Sequence, residues 1–318
     1  MIPIPYQDFP NGITTIDLGF VRPGFTASHL LVENGQAALV DVGPTATLPV
    51  LFEVLQQKQI RREDVRYVIV THVHLDHAGG AGNLLRELPN AQLVVHPNGA
   101  RHLIAPQRLI AGATAVYGAD VMNTVFGEML PVPENRIIQT EHEGVLELNG
   151  RRLLFLHTAG HARHHICVVD ERSQGIFTGD TFGLSYREFD TIRGPFILPA
   201  TAPVQFEPDE LHASIDLLLS YRPTSLYLTH FGRVTDVTRL AKDLHEWIAQ
   251  LVELAQGVKT SGPERHQDLM LQVEDVLMKR LQAHGYSRAR KHVLALLKTD
   301  LELNVQGLEV WLDRKQKK

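Results

Sequence analysis

Cysteine is almost absent: Cys167 is the only one in 318 residues. An intramolecular disulfide is therefore impossible, which suits a reducing cytosol, and a thiolate-rich zinc site cannot be built. Any metal must be held by nitrogen and oxygen. No apolar run approaches the roughly 20 residues of a membrane-spanning helix. The opening residues MIPIPYQDFP lack the basic start and apolar core of a secretory signal. No lysine- or arginine-rich block is present, and the net charge is −5 with histidine neutral, which argues against nucleic acid as the main partner. A cytoplasmic protein without a membrane partner is expected. With 44% hydrophobic residues the chain can still bury a large core.

Histidine is in excess, with 17 residues. Four metal-ligating side chains crowd into six positions of Thr71-His72-Val73-His74-Leu75-Asp76-His77-Ala78-Gly79-Gly80, directly after the apolar run Val68-Ile69-Val70. Extended backbone aims residues i and i+2 the same way, so His72 and His74 can grip one metal from a strand end. Asp76 and His77 fall on the turn into the next helix and face a second point. Gly79 and Gly80 let the backbone pass close to the cluster.

Short strands are expected over 13–18, 27–33 and 37–42, the last two joined by a turn at Asn34-Gly35, with Asp41-Val42-Gly43 ending the third. Helix 48–57, strand 68–70, helix 82–88 and strand 92–95 follow, a change from hairpins to strand–helix alternation. Residues 100–133 are broken by Pro106, Gly112, Gly118 and Gly127, and form either a lid or a helical insertion that packs. Strands return at 136–139, 145–148, 152–157, 166–169 and 175–178, which hints at two similar halves packed face to face. Between 181 and 208, Phe182, Tyr186, Phe189, Phe196 and Phe206 make either an apolar pocket wall or a satellite cluster anchoring a loop. Helix 209–220 and strand 225–229 come next. Beyond Val234 the chain is nearly all helix: a stripe from Val237 to Ala255, a linker over 257–263, then helices over 267–283, 287–298 and 304–314.

Three later signals complete the histidine motif. Gly160-His161, Gly179-Asp180 and His230-Phe231-Gly232 each place a polar ligand beside a glycine just past an apolar strand. The set His72-x-His74-x-Asp76-His77 followed by His161, Asp180 and His230 resembles the metallo-β-lactamase-fold hydrolase superfamily, over roughly residues 10–235. The resemblance implies an α/β fold, a four-layer αββα sandwich, with residues 1–235 as catalytic domain and 236–318 as a C-terminal helical extension. It also implies two divalent ions, zinc foremost, with iron or manganese compatible. His72, His74 and His161 would hold the first ion, and Asp76, His77 and His230 the second, with Asp180 bridging. Two ions carry +4 against −2 from the aspartates, so a shared water would be held as hydroxide near neutral pH. Asp76 is the candidate catalytic residue that orients it and shuttles a proton.

The chain also departs from the family pattern. Where typical members read GHxxGH, this one has Gly160-His161-Ala162-Arg163-His164-His165. His165 matches the second histidine and is expected to support the ligands, while the role of His164 stays open. A bridging Asp180 resembles the glyoxalase II, lactonase and RNase Z branches rather than the cysteine-containing β-lactamases. The glycine- and arginine-rich segment of glyoxalase II is missing, and Gly183 replaces the lactonase tyrosine, leaving Tyr186 and Phe182 as candidate substrate contacts. Cys167 is expected to be a small core residue. The expected activity is hydrolysis of a small ester, lactone or thioester, from a small-molecule acyl substrate, by a chain that can pair as a homodimer. The alternatives are a phosphodiesterase or nuclease of the same fold, and a regulatory protein that meets a partner through its helical tail.

Overall fold

A computed structural model describes residues 6–201 and 204–316; Met1–Pro5, which open the N-terminal stretch read above, lie outside the described residues. The chain divides into two compact units. The first comprises Met1–His157, His164–Gly179 and Pro223–Thr235, and the second Thr158–Arg163, Asp180–Arg222 and Asp236–Lys318.

In the first unit, β1 (Tyr6–Phe9), β2 (Ile13–Asp17), β3 (Ala27–Glu33), β4 (Gln36–Val40), β5 (Val65–Ile69), β6 (Gln92–Val95) and β7 (Ile137–Gln139) form one sheet in sequence order. Pairing is antiparallel from β1 to β4 and parallel from β4 to β7. The expected change from hairpins to strand–helix alternation is the cause, because parallel neighbours need a crossover. The intervening helices are α1 (Leu48–Gln57), α2 (Leu75–Ala78), α3 (Ala81–Glu87), α4 (Pro97–Ile104), α5 (Gln107–Tyr117) and α6 (Ala119–Val121). The second sheet runs β13-β12-β11-β10-β9-β8, from β8 (Gly144–Leu148), β9 (Arg151–His157), β10 (Ile166–Asp170), β11 (Gly175–Gly179), β12 (Ser225–Leu228) and β13 (Gly232–Val234). Only β11 and β12 are parallel in it.

Both faces of the first sheet are buried. Val40, Ile69 and Val94 pack against Phe155, Val168 and Phe177 of the second sheet. On the other face Leu39, Val68 and Leu93 pack against Leu51, Val54 and Leu84 of the helices. Three layers, helix–sheet–sheet, therefore lie within this unit, and the near-continuous apolar strands follow from burial on both sides. Cys167 is a buried residue of β10, its thiol 3.4 Å from the Thr178 carbonyl.

His29 ties the sheets together. Its Nε2–H donates to the Leu228 carbonyl at 3.2 Å, and Thr15 Oγ1 lies 3.0 Å from Nδ1. Complete burial pushes its pKa down to about 4. The unfolded chain therefore binds a proton below about pH 6.5 that the folded chain refuses until about pH 4. Stability is expected to fall by about 3 kcal/mol as pH drops from 6.5 to 4. Urea midpoints of wild type and His29→Phe measured across that range check this: the variant should lose the slope.

The second unit holds α7 (Pro208–Ser220), α8 (Val237–Gly257), α9 (Gly262–Ala283) and α10 (Arg290–Gln316). The last helix corrects the sequence reading, which divided it at 299–303. Leu297, Leu301, Val305 and Leu308 keep one buried stripe through that stretch, so nothing interrupts the helix. The aromatic residues after Asp180 pack inside this unit: Phe182, Tyr186, Phe189 and Phe206 are fully buried. Phe189 stacks edge-on against Tyr286, and Phe206 against Trp311.

Candidate metal centre

The C-terminal edge of β4 and β5 carries the main cluster. Val40 and Ile69 are register partners in parallel strands, so Asp41 and Thr71 leave the sheet side by side. Asp41, fully buried and held at φ +51°, gathers the loops. It accepts from the Thr71 N–H (2.8 Å), the Thr71 hydroxyl (2.8 Å), the Thr229 hydroxyl (2.7 Å) and His77 Nδ1–H (2.7 Å). Thr71 precedes His72 in the segment that also bears His77, and Thr229 precedes His230, so a single carboxylate holds two segments that bear candidate ligands.

His74 starts α2 as its N-cap residue, and Asp76 and His77 occupy that helix. Asp76 Oδ2 lies 3.6 Å from His77 Nε2 and 3.2 Å from His230 Nε2. His230 donates Nδ1–H to the Phe25 carbonyl at 2.7 Å. His72 Nε2 and His74 Nδ1 meet at 2.8 Å. His165 stacks on the His72 ring at 4.8 Å, and His164 lies parallel to it at 6.2 Å, with Val73 N–H 3.5 Å from its Nδ1.

The second unit brings His161 and Asp180 together, with Nε2 to Oδ2 at 3.4 Å. His161 donates Nδ1–H to the Ala200 carbonyl at 2.9 Å. Tyr186 donates to Asp300 at 2.9 Å.

These donor sets fit a metal. Atoms about 2.1 Å from a shared ion in a tetrahedral array lie about 3.4 Å from one another, and the carboxylate–imidazole separations of 3.2, 3.4 and 3.6 Å centre on that value. Asp76, His77 and His230 form a group whose ligand atoms all lie within 4.8 Å. In His77, His161 and His230 the Nδ1 proton is fixed by an oxygen acceptor, which selects the tautomer presenting an Nε2 lone pair to the neighbouring carboxylate.

Sequence reasoning missed the groups that fix those tautomers, Asp41 and the carbonyls of Phe25 and Ala200, and the roles of Thr71 and Thr229 as donors to Asp41. Asp41 did carry a signal, because it too is a polar residue just past an apolar strand and close to a glycine, Gly43. The carbonyls have no side-chain signature.

The chain belongs to the metallo-beta-lactamase superfamily, whose sequence profile matches residues 21–230. A metallo-beta-lactamase fold-containing protein, ST1585 of Sulfurisphaera tokodaii, is 28% identical over 175 residues, 53% of this chain and 61% of that protein's own length. A probable hydroxyacylglutathione hydrolase of Schizosaccharomyces pombe is 26% identical over 77% of this chain and 81% of its own. An atrochrysone carboxyl ACP thioesterase of Aspergillus chevalieri is 29% identical over 51% of this chain and 41% of its own. The crystal structure of ST1585 covers 94% of this chain and 98% of its own with a TM-score of 0.65 at 22% identity, which shows the shared fold. The α/β class with two sheets and C-terminal helices is thus as expected. Family membership and hydrolase-named relatives support a hydrolase of a family that binds divalent metals. Among the described residues no helix is long and apolar enough to cross a membrane.

Proposed function

We propose that the protein is a dinuclear metal-dependent hydrolase of a small ester, lactone or thioester. His72, His74 and His161 would hold one ion, Asp76, His77 and His230 the other, with Asp180 shared between them. Zinc is the first choice, and iron or manganese suit the same nitrogen and oxygen donors. The observation that carries the reading is the tautomer locking: three imidazoles have Nδ1 tied to oxygen and Nε2 within 3.2–3.6 Å of a carboxylate oxygen. A divalent pair bound there supplies Lewis acidity and makes water acidic near neutral pH.

The protein's own residues do the rest. The Asp76 side chain is 26% exposed while those of His77 and His230 are at most 5% exposed. Asp76 is therefore the member of its group open to solvent, placed to orient an attacking water and pass its proton on. His165, stacked on His72, fixes that ring. Phe182 and Tyr186 are assigned to packing of the second unit and make no substrate contact in this proposal. Residues 1–235 carry the site, with 236–318 as the helical extension. A thioester ranks beside a lactone because two relatives are named for a hydroxyacylglutathione hydrolase and an ACP thioesterase. The net charge of −5 gives no footing to a nucleic-acid substrate.

The test is turnover of a lactone and thioester panel after metal reconstitution. Wild type should hydrolyse at least one member. His72→Ala and Asp180→Asn should lose more than about 100-fold, the scale of deleting a group that stabilises the transition state. An inert, metal-loaded wild type removes the acyl-hydrolase reading.

A further inference from the structure

The aromatic cluster and the tail of the second unit contain one polar group that packing alone does not explain. The buried stripe of α10 runs Val293, Leu297, Leu301, Asn304, Val305, Leu308, Trp311 and Leu312. Asn304 occupies an apolar position in it at 7% exposure. Asparagine is a weaker helix former than leucine, and burying its amide costs free energy unless every polar atom is paired. Here they are paired. Oδ1 accepts from the Thr201 N–H at 2.8 Å, and Nδ2 donates to the Pro199 carbonyl at 3.0 Å. The Asn304 backbone carbonyl accepts from the Thr201 hydroxyl at 2.9 Å. The side chain thus grips the residues on both sides of Ala200, as a neighbouring strand would. The carbonyl between those two clamped groups is the one that accepts His161 Nδ1–H at 2.9 Å.

We propose that Asn304 is a positioning residue for His161: the C-terminal helix holds the 199–201 segment so that the Ala200 carbonyl sets the histidine's tautomer and ring angle. The tail is then part of the metal centre's support. Asp300, one turn earlier, accepts from Tyr186 at 2.9 Å and secures the segment that follows Asp180 from the same helix. Groups that orient metal-ligating histidines typically contribute about 10–100-fold in metal affinity.

This inference rests on the dinuclear reading, and the experiment separates the two. Zinc affinity is measured by chelator competition, and the cobalt-substituted protein is followed by visible absorption, alongside folding by circular dichroism. Wild type should take up two ions. Asn304→Leu keeps the branching at Cγ and raises helix propensity while removing the side-chain bonds, and should weaken one ion by about 10–100-fold and alter one set of cobalt bands. Thr201→Val removes only the hydroxyl contact, should give a smaller change of the same kind, and serves if Asn304→Leu fails to fold. His266→Ala, which breaks a 2.9 Å contact to Glu309 between α9 and α10, should leave both affinities unchanged. Wild type binding fewer than two ions overturns the dinuclear reading and this inference with it. Wild type binding two, with Asn304→Leu and Thr201→Val binding both as tightly, overturns this inference alone. Equal weakening by His266→Ala would assign the effect to general tail stability and also overturn it.

Discussion

Asp41→Ala is expected to destabilise the protein by about 3–5 kcal/mol, the scale for removing one member of a buried charged network. It should also abolish binding at the Asp76–His77–His230 group. Four hydrogen-bonding contacts converge on this carboxylate. Alanine leaves the Thr71 N–H, two hydroxyls and His77 Nδ1–H buried without their acceptor, and each orphaned donor costs about 1–3 kcal/mol before relaxation. His77 is then free to switch tautomer, which withdraws the Nε2 lone pair. Asp41→Asn separates the two effects. Asparagine tolerates the left-handed φ of +51° and keeps one acceptor, but its NH₂ meets a donor. It should cost less stability than alanine while still losing the ion. Urea denaturation with and without zinc, combined with metal stoichiometry, checks both. An Asp41→Ala protein with the wild-type midpoint and two tightly bound ions would remove Asp41 from the site.

That residue also marks the boundary of what the sequence makes legible. The candidate ligands could be picked out, because metal chemistry restricts such residues to a few side-chain types and strand ends deliver them at short spacings: His72, His74, Asp76 and His77 lie within six positions. Strand and helix order was readable from apolar runs and turn residues, down to identical bounds for β3, α1 and β6. The exposed strand β1 and the short β13 carry no such run and were missed. What supports the ligands was mostly hidden. Phe25 and Ala200 act through backbone carbonyls, which every residue has. Asn304 lies 143 positions from His161 and acts on it through a third segment, so no local pattern joins them. In α10 the sequence reading left 299–303 between two helices, whereas the buried stripe of Leu297, Leu301 and Val305 shows why the helix continues.

The same hidden support predicts a large effect at Gly160. Its φ of +124° belongs to a region that only glycine adopts readily. A Cβ there would overlap the backbone nitrogen and Cα of Leu211 in the first turn of α7. That turn is tied to the same loop by Glu207 N–H to the Gly160 carbonyl at 2.8 Å and by the Ser214 hydroxyl to the Ala159 carbonyl at 2.6 Å. Gly160→Ala therefore combines backbone strain of about 1–3 kcal/mol with overpacking of about 1–3 kcal/mol. Shortening the neighbour cannot relieve it, because Leu211→Ala leaves the clashing backbone atoms in place. The loop can move only by carrying His161 away from the Ala200 carbonyl, so loss of one bound ion should accompany the lower thermal midpoint. Gly112→Ala gives the contrast: its Cβ would meet nothing within 4 Å in mid-α5, and alanine should stabilise by about 0.5–1 kcal/mol. Thermal midpoints of the metal-free variants isolate the packing effect, and titration with zinc isolates the ligand effect. A Gly160→Ala protein as stable as wild type and retaining both ions would mean that α7 yields at its first turn without disturbing His161.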